Sequence, residues 1–440
     1  MTGKTRRDFL KLGYFHFTDG FHSAGWRLPR AVSHASIFEA HRQAAAVAQA
    51  AAFDVFFLGD SLDTSLGESG SRLRRLDPVA MLSALAATTQ GLGLVATMST
   101  TYSAPYIVAR QIGSLDQISH GRAGWNVVTS YSAGVSENFN HHALPPHDQR
   151  YALAEEFVDV VRGLWDSFED GAFIRDKASG QFVDPQRVHA LHHQGTHYQV
   201  RGPIPVPRSP QGQPVLVQAG SSAAGMQLGA RVGELIFTRQ ATLDGAVAFR
   251  RGFHGALADF GRAATDVIVM PGVLPVIGAT EAQARALVRQ MDEAIDLEHG
   301  LFVLGNQLGL DLSHLRFDDE LPELRAAANG QRSVEAILAG LRKRGPLTVA
   351  AAARYFGGMR GHIELVGDAE QVAQGLIDLF DAGAGDGFNI IPPFMPGGLG
   401  DFAEQVVPIL RRRGYLPAGY AGETLRENLG LAVPESRFSR

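Results

Sequence analysis

The sequence predicts an α/β fold of the (β/α)8 TIM-barrel type, and three observations carry that prediction. Eight short apolar runs rich in β-branched and aromatic residues recur along the chain, amphipathic stretches of helical period separate them, and the two kinds alternate almost from end to end. Parallel strand–helix units with right-handed crossovers close on themselves at eight, which favours a barrel over a doubly wound sheet.

The predicted strands cover residues 9–17, 53–58, 92–98, 124–128, 215–219, 235–238, 267–276 and 387–391. Between them, 36–52 is alanine-rich behind a capping Ser36, 77–89 opens on Asp77-Pro78, and 106–118 places apolar residues at helical spacing. The clearest helix is 151–168, with Leu153, Phe157, Val160, Val161, Leu164, Trp165 and Phe168 on one face and Glu155, Glu156, Asp159 and Arg162 on the other. Asp368 caps another, whose buried face holds Val372, Leu376, Leu379 and Phe380. Three stretches exceed what barrel loops need, at about 131–150, 172–214 and 281–361, so residues 1–440 are expected to form one elaborated barrel domain with three inserts. Within the second, residues 206–214 read as irregular extended chain; the third has helical patterns suited to an inserted subdomain.

With 45% hydrophobic and 19% charged residues, the chain of 440 can bury a large core and is not a disordered polymer. A net charge of −5 offers no broad basic field, so neither nucleic acid nor an anionic membrane is an expected partner, and small-molecule chemistry is favoured. No apolar run approaches the roughly 20 residues of a membrane span. The absence of cysteine removes disulfides, thiolate metal sites, iron–sulfur clusters and thiol nucleophiles, and fits a cytoplasmic location. Thr5-Arg6-Arg7-Asp8-Phe9-Leu10-Lys11 has the look of a twin-arginine export signal. The apolar stretch behind it is short and soon polar, so the first buried strand is the favoured reading.

Two glycine-rich patterns need sorting by context. Gly91-Leu92-Gly93-Leu94-Val95-Ala96 fits the dinucleotide fingerprint but begins a strand, where the motif should open a helix. Gly220-Ser221-Ser222-Ala223-Ala224-Gly225 follows a strand and precedes a helix. It is one residue from a nucleophile elbow, so a serine hydrolase acting through Ser222 stays open. The favoured reading is a phosphate cradle, because small residues at a helix N-terminus expose N–H groups and a hydroxyl to an anion. The histidine groups His189, His192, His193, His197 and His141, His142, His147 sit in no metal-binding motif, so no metal site is expected. His147-Asp148-Gln149-Arg150-Tyr151 opens the strong helix and can hold an anionic or aromatic ligand, with a helix cap by Asp148 as the alternative. Asp60 and Thr97 end predicted strands, where barrels keep their chemistry, and Asn126 is an amide within an apolar run that needs a partner.

The stretch Ser114-Leu115-Asp116-Gln117-Ile118-Ser119-His120-Gly121-Arg122-Ala123-Gly124-Trp125-Asn126-Val127-Val128-Thr129-Ser130 closely resembles a block of flavin-dependent monooxygenases of the nitrilotriacetate and dibenzothiophene-sulfone monooxygenase type, within the bacterial luciferase-like superfamily. Phe57-Leu58-Gly59-Asp60-Ser61-Leu62, Thr100-Thr101-Tyr102-Ser103-Ala104-Pro105-Tyr106, His147 to Tyr151, and Val206-Pro207-Arg208-Ser209-Pro210-Gln211-Gly212-Gln213-Pro214 match as well, and the likeness runs from about residue 12 to 431. It implies a two-component enzyme: a separate NAD(P)H-dependent flavin reductase supplies reduced FMN, O2 is activated as a C4a-(hydro)peroxyflavin, and a small organic substrate is oxygenated, often with cleavage of a C–N, C–S or C–C bond. A relative working through an N5 adduct is the alternative within this fold, and a homodimer or homotetramer is expected. The flavin would carry the difficult chemistry and the protein would position it in a dry pocket.

Carried over from the resemblance, Asp60 and Thr97 would lie near the isoalloxazine, with Asn126 a further contact. His147 and Tyr151 would lie by the ribityl phosphate, and Ser221 and Ser222 on the phosphate itself. The family's Ser-x-His-Thr-Gly-type histidine is replaced, because the matching stretch here is Gly305-Asn306-Gln307-Leu308-Gly309-Leu310-Asp311-Leu312. Gln307 can orient a substrate but cannot supply a proton near neutral pH. His22, in the entrance-like segment Phe21-His22-Ser23-Ala24-Gly25-Trp26-Arg27, is the remaining acid–base candidate, with a surface histidine as the alternative. Phe15, Phe56 and Trp26 are candidates for an apolar pocket wall, with core packing the alternative.

Overall fold

The structure, a computed structural model, describes residues 8–32, 35–64, 73–130, 133–140, 144–327, 332–343, 345–358 and 361–438. Residues 5–7 of the twin-arginine-like stretch, and His141 and His142, lie outside them. The first half is regular: β1 (Lys11–Phe15), α1 (Ile37–Ala50), β2 (Val55–Leu58), α2 (Pro78–Ala86), β3 (Gly93–Ser99), α3 (Pro105–Ile118) and β4 (Ala123–Val128). The caps form as the residue types dictate: Ser36 accepts from Glu39 N and Asp77 from Ala80 N, each satisfying an otherwise unpaired first-turn donor.

After β4 come the short α4 (Ala133–Glu137) and the long α5 (His147–Trp165). An irregular stretch follows, its only paired strands among the described residues being the two-residue antiparallel β5 (His193–Gln194) and β6 (Gln199–Val200). The barrel resumes with β7 (Val215–Gln218), α6 (Ala223–Val232), β8 (Leu235–Thr238), α7 (Leu243–Leu257) and β9 (Ile268–Ile277). A helical excursion, α8 (Glu281–Glu293), α9 (Leu297–Leu308), α10 (Arg332–Arg342) and α11 (Val349–Gly357), precedes β10 (Ile363–Gly367), α12 (Ala369–Asp381) and β11 (Gly387–Ile390). The last helices are α13 (Gly397–Asp401), α14 (Val407–Arg412) and α15 (Leu425–Leu429).

The eight expected strands pair in parallel as β1-β2-β3-β4-β7-β8-β9-β11, and β11 returns to β1, so the barrel closes. Besides the short β5 and β6, one strand of the main sheet was not expected. β10 pairs only with the far half of β9, from Ile363 opposite Val273 to Gly367 opposite Ile277, and so lies outside the closed ring. β9 is long enough, at ten residues, to pair β8 with its first half and β10 with its second.

The barrel interior holds Val55, Phe57, Val95, Val215, Val217, Leu235, Ile268 and Met270. Leu425 and Leu429 of α15 join this cluster and stop the N-terminal mouth. Gly93 makes room for the plug, since a Cβ there would come within 2.4 Å of Leu425 Cδ1. The larger outer core lies between barrel and helices, and the excursion has a core of its own, including Leu301, Leu304, Leu338, Val349 and Phe356.

Candidate active site

Strand exits on four adjacent strands, β2, β3, β4 and β7, bring most of the candidate residues into one arc of the C-terminal rim. Thr97 Oγ1 donates to Leu58 O at 2.7 Å and accepts from Asn126 Nδ2 at 2.9 Å, so β2, β3 and β4 are stitched together just inside the mouth. Asn126 is buried, and its Oδ1 has no hydrogen-bond partner. Asp60 follows Leu58 by two residues; burial raises its carboxyl above the ordinary value, against the opposing pull of the Ser61 N–H and the charge of Arg75.

At the other end of the arc, β7 runs into α6 through Ala219-Gly220-Ser221-Ser222. Ser222 caps α6, accepting from Gly225 N at 3.1 Å, and its Oγ lies 3.5 Å from Tyr151 Oη. Gln218 Oε1 accepts from Gly220 N at 2.8 Å and holds the turn. Gly220 and Gly225 approach so closely that a Cβ on Gly220 would come 3.0 Å from Gly225 Cα and 2.4 Å from Gln218 Nε2. The turn is therefore backbone-lined, with exposed Ser221 and Ser222 beside the start of a ten-residue helix.

Tyr151 reaches this turn from the first turns of α5, its ring 4.8 Å from that of His147. Asp148 is not the cap of α5. Pro146 holds that position without a side-chain bond, while Asp148 sits inside the first turn and meets His147 Nδ1 at 2.9 Å. Arg150, buried beside them, donates to Thr129 O and Ser130 O and so fixes α5 against the exit of β4.

His22 and Gln307 lie apart from this arc. His22 is buried with Nδ1 accepting from Ala24 N at 3.2 Å and Nε2 3.4 Å from Asp292 Oδ1, which joins the entrance segment to α8. Gln307 lies on α9 with its Oε1 buried and unpartnered, and no described contact joins it to Thr97, Asn126 or His22. Of the aromatic candidates, Phe15 packs at the mouth against Phe17, Phe57 and Phe237. Phe56 does not line the mouth: strand alternation turns it outward onto Tyr14 and His16, leaving Phe57 inside. Trp26 is 50% exposed.

Further groups that sequence reasoning missed meet here. Asn389 of β11 points inward over Gly13, where a Cβ would come 2.3 Å from its Oδ1, and that oxygen is buried without a partner. The clue was the one that marked Asn126, an amide inside an apolar run. His362, just before β10, is buried at the rim with its ring on Phe237 and Phe21. It had no local signal.

Residues 18–386 match the family described as luciferase-like monooxygenase. The chain belongs to that family. Relatives include N-acetyl-S-(2-succino)cysteine monooxygenase of Bacillus subtilis (strain 168), 43% identical over 100% of both chains, and nitrilotriacetate monooxygenase component A of Aminobacter aminovorans, 39% identical over 98% of each. A solved structure of riboflavin lyase with modified FMN and substrate riboflavin is 34% identical, with a TM-score of 0.86 over 98% of this chain and 97% of that one. This luciferase-like enzyme is a flavin-dependent monooxygenase, and its relatives do not favour a hydrolase. In it, the Ser222 hydroxyl is occupied as a helix cap.

Proposed function

We propose that the enzyme binds reduced FMN along the β2-β3-β4-β7 arc and uses it with O2 to oxygenate a small organic substrate. The carrying observation is the backbone-lined turn at Gly220 to Gly225, a cradle that even one Cβ would fill. Ser221, Ser222, the first N–H groups of α6 and the Tyr151 hydroxyl would hold the phosphate, with His147 beside it. Asp60, Thr97 and Asn126 would face the isoalloxazine, and the unpartnered Oδ1 of Asn126 suits a ring N–H, since a buried amide oxygen left unpaired costs about 1–3 kcal/mol. When bound, reduced FMN supplies the electrons that activate O2.

The chain's own part is placement and exclusion of water. Thr97 and Arg150 lock the rim strands, and Phe15, Phe57 and Phe237 give the mouth an apolar floor in which polar contacts are strong. A separate NAD(P)H-dependent reductase would supply the flavin, in keeping with the relative named as component A.

Anaerobic titration of the protein with FMNH2, followed by flavin fluorescence, tests the site. Saturable binding is expected, weakened about 100-fold by Gly220→Val and about tenfold by Ser222→Ala, which also loses roughly 1 kcal/mol of helix capping. Absence of FMNH2 binding by the folded parent, or unchanged affinity in Gly220→Val, would sink the assignment.

A further inference from the structure

The flavin arc leaves the opposite side of the mouth, formed by β8, β9, β11 and β1, without an assigned role. That side is mainly aromatic. Phe15 lies 4.7 Å from Phe17 and 5.2 Å from Phe237 by ring centroids, Phe17 lies 4.9 Å from Phe21, and His362 closes the chain of rings, 5.4 Å from Phe21 and 5.8 Å from Phe237.

Besides Asn389 on β11, two features depart from the apolar pattern. Arg239 stands two residues past Phe237 on the exit of β8, so strand alternation gives it the same, inward side. Its guanidinium lies against Gly361, where φ is +116° and a Cβ would come 2.5 Å from Nη2. His362 is the next residue, and its Nδ1 rests over Gly272 of β9, where a Cβ would sit 2.3 Å away; that nitrogen is buried without a partner. The backbone at two glycines thus makes room for a guanidinium and an imidazole on an otherwise aromatic wall. Burial, with the charge of Arg239 adding to it, lowers the His362 pKa to about 3, so the ring is neutral at ordinary pH. A bare lone pair suits Nδ1 packed on a Cα, which leaves the Nε2–H as the group the ring can offer.

We propose that Arg239 and His362 form the substrate-recognising corner of the pocket, selecting a small molecule that carries a carboxylate over a neutral one of the same shape. The planar guanidinium matches a carboxylate in two parallel hydrogen bonds, and aromatic surroundings strengthen the attraction by keeping water out. The neutral imidazole adds a donor without a second charge, while the phenylalanines hold the rest of the molecule. The inference rests on the flavin reading above, because it makes this wall the one facing the flavin.

The test uses the full-length enzyme with a flavin reductase, NADH, FMN and O2, and pairs each carboxylate probe with its methyl ester. N-acetyl-S-(2-succino)cysteine and nitrilotriacetate serve as acids. Turnover of at least one acid is expected, with kcat/KM well above that of its ester. In Arg239→Gln, KM for the acid should rise about 100-fold and the acid-over-ester preference should vanish; in His362→Phe the rise should be about tenfold. FMNH2 affinity should stay at the parent value in both variants. Turnover of neither acid, an ester preferred or equal in the parent, or an Arg239→Gln variant that keeps its preference would overturn the corner. Failure of FMNH2 to bind the parent would instead overturn the flavin reading.

Discussion

The two mouths of the barrel are built on opposite principles. At the N-terminal mouth nearly every buried polar group is matched. Arg426 grips Glu234 with two hydrogen bonds of 2.6 and 2.8 Å and donates to Gln213 O and Ala432 O. Arg122 reaches the carbonyls of Ala86, Thr89, Leu92 and Ser119, and the Asp116 carboxylate accepts from Ala123 N, Ser209 Oγ and Gln211 Nε2. At the C-terminal mouth Asn126 Oδ1, Asn389 Oδ1 and His362 Nδ1 are buried and unmatched. A buried polar atom without a partner is a cost, and three at one rim mark the end of the fold shaped for a ligand. Matched polar groups are concentrated at one end, and the proposed recognition site lies at the other.

Breaking the closed end should give the largest effect. Arg426→Leu strands Glu234, which is only 19% exposed in its side chain, and should remove about 3–4 kcal/mol of stability, read as a lower urea midpoint, while FMNH2 affinity of the folded fraction is unchanged. Loss of flavin binding with stability intact would erase the contrast.

The next effect depends on pH. Burial raises the Asp116 carboxyl from 3.8 to about 6, so between those values the native state keeps a proton that the unfolded chain has released. Stability must therefore fall as pH rises from about 4 through 6, by up to about 3 kcal/mol from this group. Asp116→Asn should flatten that slope in urea titrations at pH 4 and pH 7, and an unaltered slope would show that Asp116 does not titrate there. The smallest effect belongs to the open end. Thr97→Val removes one donor and one acceptor and should cost about 1 kcal/mol of stability but weaken FMNH2 binding severalfold, because Asn126 loses the hydroxyl that orients it.

What could be read from the chain divides along similar lines. The eight ring strands are short apolar runs, and their exits locate Asp60, Thr97 and the Ser222 turn, because position along a strand is local information. β10 escaped notice because its sequence, Ile363-Glu364-Leu365-Val366-Gly367, carries a charge and a glycine within five residues and pairs on one side only. His362 and Arg239 are 123 residues apart in sequence by their numbers, and no periodicity can reveal that β9 brings them together. Phe56 and Phe57 show the limit of composition: which of two adjacent rings faces inward is set by register, not by residue type.

The ten-residue β9 has a consequence for how such a protein can change. Its first half belongs to the ring and its second half is a docking rail on which β10 slots outside the ring. The helical excursion between them can therefore be lengthened, shortened or exchanged without disturbing the register of any ring strand, provided the returning segment still seats on the rail. The ring carries the cradle and most of the facing wall as a fixed chassis, and only the His362 side of that wall arrives at the end of a replaceable cassette.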